Sequence, residues 1–144
     1  MSESGSGTAP ASGDRPVVAL DASALMMPVE LGVRVFDELD RLLGAAELVT
    51  PRAVVEELVS LSVGGSTEAR AARVGRDLSA GRCRVIEPAA YDADNGDDAL
   101  VDLARSGAVD YVVTNDRPLR DRLLAAGVPV IGVRGRSTLA IAQP

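Results

Sequence analysis

The sequence contains no histidine and no lysine, and all 15 of its basic residues are arginine. Each absence removes a class of chemistry. Without histidine there is no Ser-His-Asp or Cys-His nucleophile, and no imidazole acid/base pair of the kind that metal-independent ribonucleases use. Without lysine there is no Schiff base and no phosphate loop ending in Gly-Lys-Ser/Thr. The one cysteine, Cys83, excludes an internal disulfide and a thiolate metal cluster, and is expected to be an ordinary strand residue. Aromatic residues make up 2% of the chain, too few for a base-stacking platform. No run approaches the roughly 20 apolar residues that span a bilayer, and no basic start precedes an apolar signal region, so a cytoplasmic protein without a membrane partner is expected. What remains is carboxylates, hydroxyls, arginines and any hard cation they can hold.

At 144 residues and 47% hydrophobic content, the chain suits one compact core and is too short for two ordinary domains. A net charge of −6 argues at face value against a nucleic-acid binder. Lysine-free, acid-rich and rich in Ala and Val, the composition instead reads as halophilic, where acidity is a property of the whole surface. Residues 1–15, rich in Ser, Gly, Ala and Pro, are expected to form a disordered tail, and residues 16–144 the folded domain.

From Pro16 onward, short β-branched runs alternate with helical patterns. The strands are PVVALD, ELVT, RVIE, DYVVTN and PVIGV, and helices are expected near 29–43, from Pro51, and near 67–80, 97–106 and 117–126. Leu31, Val35, Leu39 and Leu42 recur at helical spacing in the first of these. Thr50 is expected to cap the helix opening at Pro51, and Gly127 to end the last helix. Alternating strands and helices predict a parallel sheet covered on both faces. In such a sheet, chemistry gathers at the carboxyl ends of strands where the strand order reverses. Asp21 ends the first strand and Asp116 follows DYVVT, so both belong to that edge.

Periodicity selects two further acids. On the helix from Pro51, Val54, Leu58 and Leu61 mark the buried stripe; Glu57 borders it and Glu56 lies nearly opposite. Leu100, Leu103 and Ala104 set the buried arc of the next relevant helix, which Asp97 approaches more closely than Asp98. Ordinary structural roles compete: Asp116 can cap the helix at Arg117, Asp97 and Asp98 can complement a helix dipole, and Glu57 can be a solvated residue. Asp21 is harder to explain structurally, because an acid ending an apolar strand is costly without a partner. Two carboxylates about 5 Å apart at an effective dielectric near 20 repel by roughly 3 kcal/mol, which a cation or protons must offset. With oxygen donors alone the cation is hard, Mg²⁺ or Mn²⁺, and the matching reaction is phosphodiester hydrolysis. Ser23 and Asn115 are candidates to orient ligands or water, and Thr114 to hold the strand-end turn.

The segments VVALDASALM, TPRAVVEELVSL, GDDALVDLA and YVVTNDRPLRDRL resemble the four acidic motifs of PIN domains in order and spacing. The resemblance runs from about Val17 to Ile131 and is nearest to archaeal PIN proteins similar to VapC toxins and to rRNA-processing PIN nucleases. It implies a three-layer α/β sandwich, Mg²⁺ or Mn²⁺ as cofactor, and endoribonuclease activity, with Asp21, Glu57, Asp97 and Asp116 as the catalytic and metal-binding acids. It also implies an RNA substrate, a homodimer and, for a toxin, an antitoxin partner. The first motif reads Asp21-Ala22-Ser23 where the family often has Asp-Thr-Asn or Asp-Thr-Ser, so the hydroxyl at the third position is kept.

Arg70, Arg73 and Arg76 recur on one helix, while Arg117, Arg120, Arg122, Arg134 and Arg136 crowd the C-terminal third. Solvated surface is the ordinary reading for both sets. For phosphate contacts, Arg117 and Arg120 beside Asp116 are the better placed. A receiver domain resembles this plan but uses a strand-end lysine, and a dinucleotide fold needs a glycine-rich turn that LDASALMM does not supply. The stronger rival is a non-catalytic PIN scaffold that binds RNA or a protein partner.

Overall fold

The computed structural model describes residues 15–87 and 95–144; the expected tail, apart from Arg15, lies outside them. Among the described residues, six strands form one sheet in the order β3-β2-β1-β4-β5-β6. They are β1 (Val17–Leu20), β2 (Glu47–Pro51), β3 (Arg84–Ile86), β4 (Tyr111–Val113), β5 (Val130–Arg134) and β6 (Thr138–Ala142). All neighbours are parallel except β5 and β6. The helices among the described residues complete the three-layer α/β sandwich: α1 (Ala22–Glu30), α2 (Val35–Leu43), α3 (Arg52–Leu61), α4 (Thr67–Arg82), α5 (Gly96–Ser106) and α6 (Arg117–Ala125). The order reverses at β1, which pairs with β2 on one side and β4 on the other. Leu20 pairs with Val113, so the residues just after β1 and β4, Asp21 and Thr114, leave the sheet side by side.

The expected burial stripes are present. Val54 and Leu58 of α3 are fully buried, as is Leu100 of α5, with Ala104 nearly so. Gly107 closes α5 at φ 78° and Gly127 follows α6 at φ 88°, conformations that favour glycine.

Several expectations are corrected. The helix expected near 29–43 starts only at Val35, as α2; it is preceded by α1 (Ala22–Glu30), which was not expected, and between them the chain turns through Gly32 at φ 67°. Leu31, one of the four residues at helical spacing, is 44% exposed, while Val35 and Leu39 are buried. Thr50 does not cap α3. It lies in β2, fully buried, and its hydroxyl donates to the Leu20 carbonyl at 2.9 Å, tying β2 to the end of β1. Cys83 is not in a strand but ends α4, and burial pushes its thiol up to about 11. Finally, β6 was not expected at all: TLAIA turns back against β5, with Gly132 opposite Ala140 and Val130 opposite Ala142.

Candidate active site

Asp21 is the centre of the carboxyl edge. It is 4% exposed and occupies the N-cap of α1, so a local capping role accounts for part of its geometry. Its Oδ1 accepts from the Ala24 N–H and the Ser23 hydroxyl, both at 2.8 Å. Its Oδ2 accepts from the Thr114 hydroxyl across the β1–β4 junction. Burial pushes its carboxyl up to about 6; the hydrogen bonds from Thr114, Ala24 and Ser23 work against that rise, and Asp97 adds to it.

Ser23 and Thr114 do more than the sequence suggested. The Ser23 hydroxyl donates to Asp21 and accepts from the Asn115 N–H at 2.9 Å, and the Thr114 hydroxyl accepts from the Asp116 N–H at 3.0 Å. The two hydroxyls therefore stitch the turn after β4 onto the carboxylate after β1. Asn115 takes part through its backbone, and its residue is exposed. Asp116 caps α6, with Oδ2 accepting from the Leu119 N–H at 3.1 Å. The capping reading of Asp116 is thus realised, and one of its carboxylate oxygens is committed to it.

Asp97 and Glu57 approach from α5 and α3. A Cβ built on Gly96 would lie 3.2 Å from Glu57 Oε1 and 2.9 Å from Val54 Cγ2, so the Glu57 carboxylate rests on the first turn of α5 beside Asp97. Burial raises the pKa of Glu57, and Asp97 and Asp116 raise it further. Asp97 is likewise raised, first by burial and then by Asp116; Arg122 acts in the opposite direction. The four acids selected from the sequence therefore face a common region and repel one another there. Asp98 turns away: it accepts from Arg122 on α6 at 2.9 Å and is held by Asn95, which caps α5. The sequence placed Arg122 among the C-terminal arginines read as solvated surface; its pairing with Asp98 carries no signal before α5 and α6 are known to pack together.

The donors are all oxygen, which suits a hard divalent cation. As the side chains stand, no group of three or more acids among the described residues closes tightly enough to grip one. Beside Asp116 opens a cavity of about 160 Å³, bounded by Thr114 to Arg117, Arg120, Gly132 and Val133. Arg117 and Arg120 are the two arginines that line this cavity together with Asp116.

A PIN like domain family matches residues 18–136, most of the chain. The chain belongs to the PIN-like domain family. Its fold is similar to that of the PIN domain endonuclease Utp24, with a TM-score of 0.70 at 19% identity over 89% of this chain and 92% of that one. It is also similar to a structure of VapBC2 from Rickettsia felis bound to a DNA fragment from their promoter, with a TM-score of 0.59 at 12% identity over 82% and 99% of the two chains. At these identities the likeness is one of fold. No curated protein matches in sequence. Among the described residues, no helix is long and apolar enough to cross a membrane.

Proposed function

We propose that this PIN-like chain is a Mg²⁺- or Mn²⁺-dependent endoribonuclease, acting in the cytoplasm of a cell adapted to high salt. The observation that carries the reading is Asp21, a buried carboxylate at the point of strand reversal, whose pKa is raised to about 6 chiefly by burial, with the neighbouring Asp97 adding to the rise. Asp21, Asp97 and Asp116 would hold the cation, and Glu57, the most exposed of the four, would hold water at its open side. When bound, a hard cation supplies Lewis acidity and a lowered pKa for water. The chain's own contribution is orientation. Ser23 and Thr114 fix the Asp21 carboxylate, the α6 cap fixes Asp116, and Arg117 and Arg120 stand where they can hold the phosphate of an RNA substrate.

One observation favours the second reading, a scaffold that binds RNA or a protein partner without cutting: the acids do not converge tightly on a single point. Both readings are tested by incubating structured RNA with the protein in high salt with EDTA, Mg²⁺ or Mn²⁺. Metal-dependent cutting that is lost in Asp97→Asn and Asp116→Asn supports the nuclease. Absence of cutting, together with no metal-induced rise in melting temperature, selects the scaffold. Whether the enzyme serves as a toxin or in RNA processing is decided by growth arrest on expression and by an antitoxin encoded beside it.

A further inference from the structure

The buried hydroxyl of Thr50 stands where a backbone donor is missing. β1 and β2 run parallel in the register Val17–Glu47, Val18–Leu48 and Ala19–Val49, and the Glu47 N–H donates to the Pro16 carbonyl at 2.8 Å. In a parallel ladder such donations recur at every second residue. The N–H groups that face β1 are therefore those of Glu47, Val49 and, next in turn, position 51, and the carbonyls that receive them are those of Pro16, Val18 and Leu20. Position 51 is proline, which has no N–H. The carbonyl of Leu20, a fully buried residue, would thus end β1 without its donor. The Thr50 hydroxyl supplies one at 2.9 Å.

That bond acts on the peptide unit that carries Asp21. The Leu20 carbonyl and the Asp21 N–H belong to one planar group, and the N–H donates to the Val113 carbonyl of β4 at 3.2 Å. The group is held by β2 on one side and by β4 on the other, which fixes the direction in which the Asp21 side chain leaves the sheet. On the β2 side the same two residues open the next element. Pro51, extended at φ −66° and ψ 149°, is the N-cap of α3, the helix that bears Glu57. We infer that Thr50 is a positioning residue for Asp21: its hydroxyl replaces the amide that Pro51 removes, and so lets β2 turn into α3 without releasing the Leu20–Asp21 peptide. The inference rests on the metal-dependent nuclease reading, in which Asp21 holds the cation. Thr50 acts through the main chain, since its hydroxyl bonds the carbonyl before Asp21 and not the carboxylate. A tie between strands that served the sheet alone would govern stability; a positioning bond governs how tightly the folded protein grips a cation.

The test is the dissociation constant of Mn²⁺ for the full chain, read from the free-ion signal in electron paramagnetic resonance, with the thermal melt of each metal-free variant measured alongside. Thr50→Ser keeps a hydroxyl and should bind as the wild type does. Thr50→Ala has no donor, and should bind Mn²⁺ about 10-fold more weakly, the lower end of the loss expected when a ligand's supporting contact is removed. Thr50→Val, closer to threonine in volume, should show the same loss and serves in place of the alanine variant if that does not fold. The double variant Thr50→Ala/Pro51→Ala returns a backbone N–H to position 51, facing the Leu20 carbonyl. It should recover most of the lost affinity while still melting below the wild type, because the space vacated by the threonine side chain remains. Affinity then follows the donor and stability follows the side chain. Wild-type affinity in Thr50→Ala and Thr50→Val overturns the positioning role and leaves the nuclease reading standing. Failure of the restored N–H to recover affinity, against normal binding by Pro51→Ala alone, does the same. A wild type that binds no Mn²⁺ overturns both.

Discussion

Replacing Asp21 by Asn should make the metal-free protein more stable at alkaline pH and less stable in acid. The folded state holds the Asp21 carboxyl at about 6 against 3.8 in an unperturbed chain. Between those values the folded protein binds more protons than the unfolded one, so stability falls as pH rises through the interval and levels off above about 6. At about 1.36 kcal/mol per pH unit, the full penalty on the wild type at pH 8 is about 3 kcal/mol. Asparagine removes that penalty, but with its amide oxygen taken by the Ala24 N–H and the Ser23 hydroxyl it turns its NH2, which cannot accept, towards the Thr114 hydroxyl that donated to the carboxylate. Losing that bond costs about 1–2 kcal/mol. The net expectation is a gain of about 1–2 kcal/mol at pH 8, a rise in melting temperature of about 3–6 °C for a chain of this size. At pH 4 the wild-type penalty has largely gone and only the lost hydrogen bond remains, so the variant should be about 1 kcal/mol less stable. Glu57 and Asp97, also raised, impose the same sign of pH dependence on both proteins and largely cancel in the difference.

The assay is denaturant unfolding in EDTA at several pH values, repeated with Mg²⁺ or Mn²⁺. A cation at about 100 times its dissociation constant stabilises the wild type by about 2.7 kcal/mol. The variant should gain far less, so the order of stability at pH 8 reverses when metal is added. A variant destabilised equally at pH 4 and pH 8 would show that burial of an ionised Asp21 carries no cost, and would refute the reasoning.

The adjacent acids of α5 should separate cleanly. Asp97→Asn is expected to abolish the metal-induced rise in melting temperature, while Asp98→Asn should keep it and cost no more than about 1 kcal/mol, because its bridge to Arg122 is roughly half exposed at each end. Gly96→Ala should lower stability by about 1–3 kcal/mol, since its Cβ would meet Val54 at 2.9 Å; it should weaken metal binding as well by pushing aside the Glu57 carboxylate. Thr114→Val removes a buried donor to Asp21, and should destabilise the protein by about 1–3 kcal/mol at pH 8 and by less at pH 4. Equal losses at the two pH values would count against a direct effect on the Asp21 charge.

The alternation of β-branched runs with helical stripes was enough to read a parallel sheet, because those patterns are local consequences of which face is buried. Where burial and local conformation part company, the reading failed. Leu31 keeps the spacing of Val35 and Leu39, yet Gly32 breaks the helix between them and leaves Leu31 facing solvent. Thr50-Pro51 has the composition of a helix start, but the neighbouring Leu20 carbonyl claims the hydroxyl. The short run TLAIA carries a strand's residues without a length or alternation that separates it from a loop, and only its pairing with β5 makes it a strand.

Within the acid cluster the limit was of another kind. Asp97 and Glu57 could be preferred over Asp98 and Glu56 because a helix converts spacing into direction, and the structure turns Asp98 toward Arg122. The hydroxyls are different, since Ser23 and Thr114 are 91 residues apart and nothing in either neighbourhood announces the other. Their role exists only because β1 and β4 are adjacent and in register, which places Leu20 against Val113 and lets one carboxylate accept from both hydroxyls. The same register makes Asp21 costly and tolerable together: buried deeply enough to resist ionisation, and hydrogen-bonded well enough that the fold can hold it there.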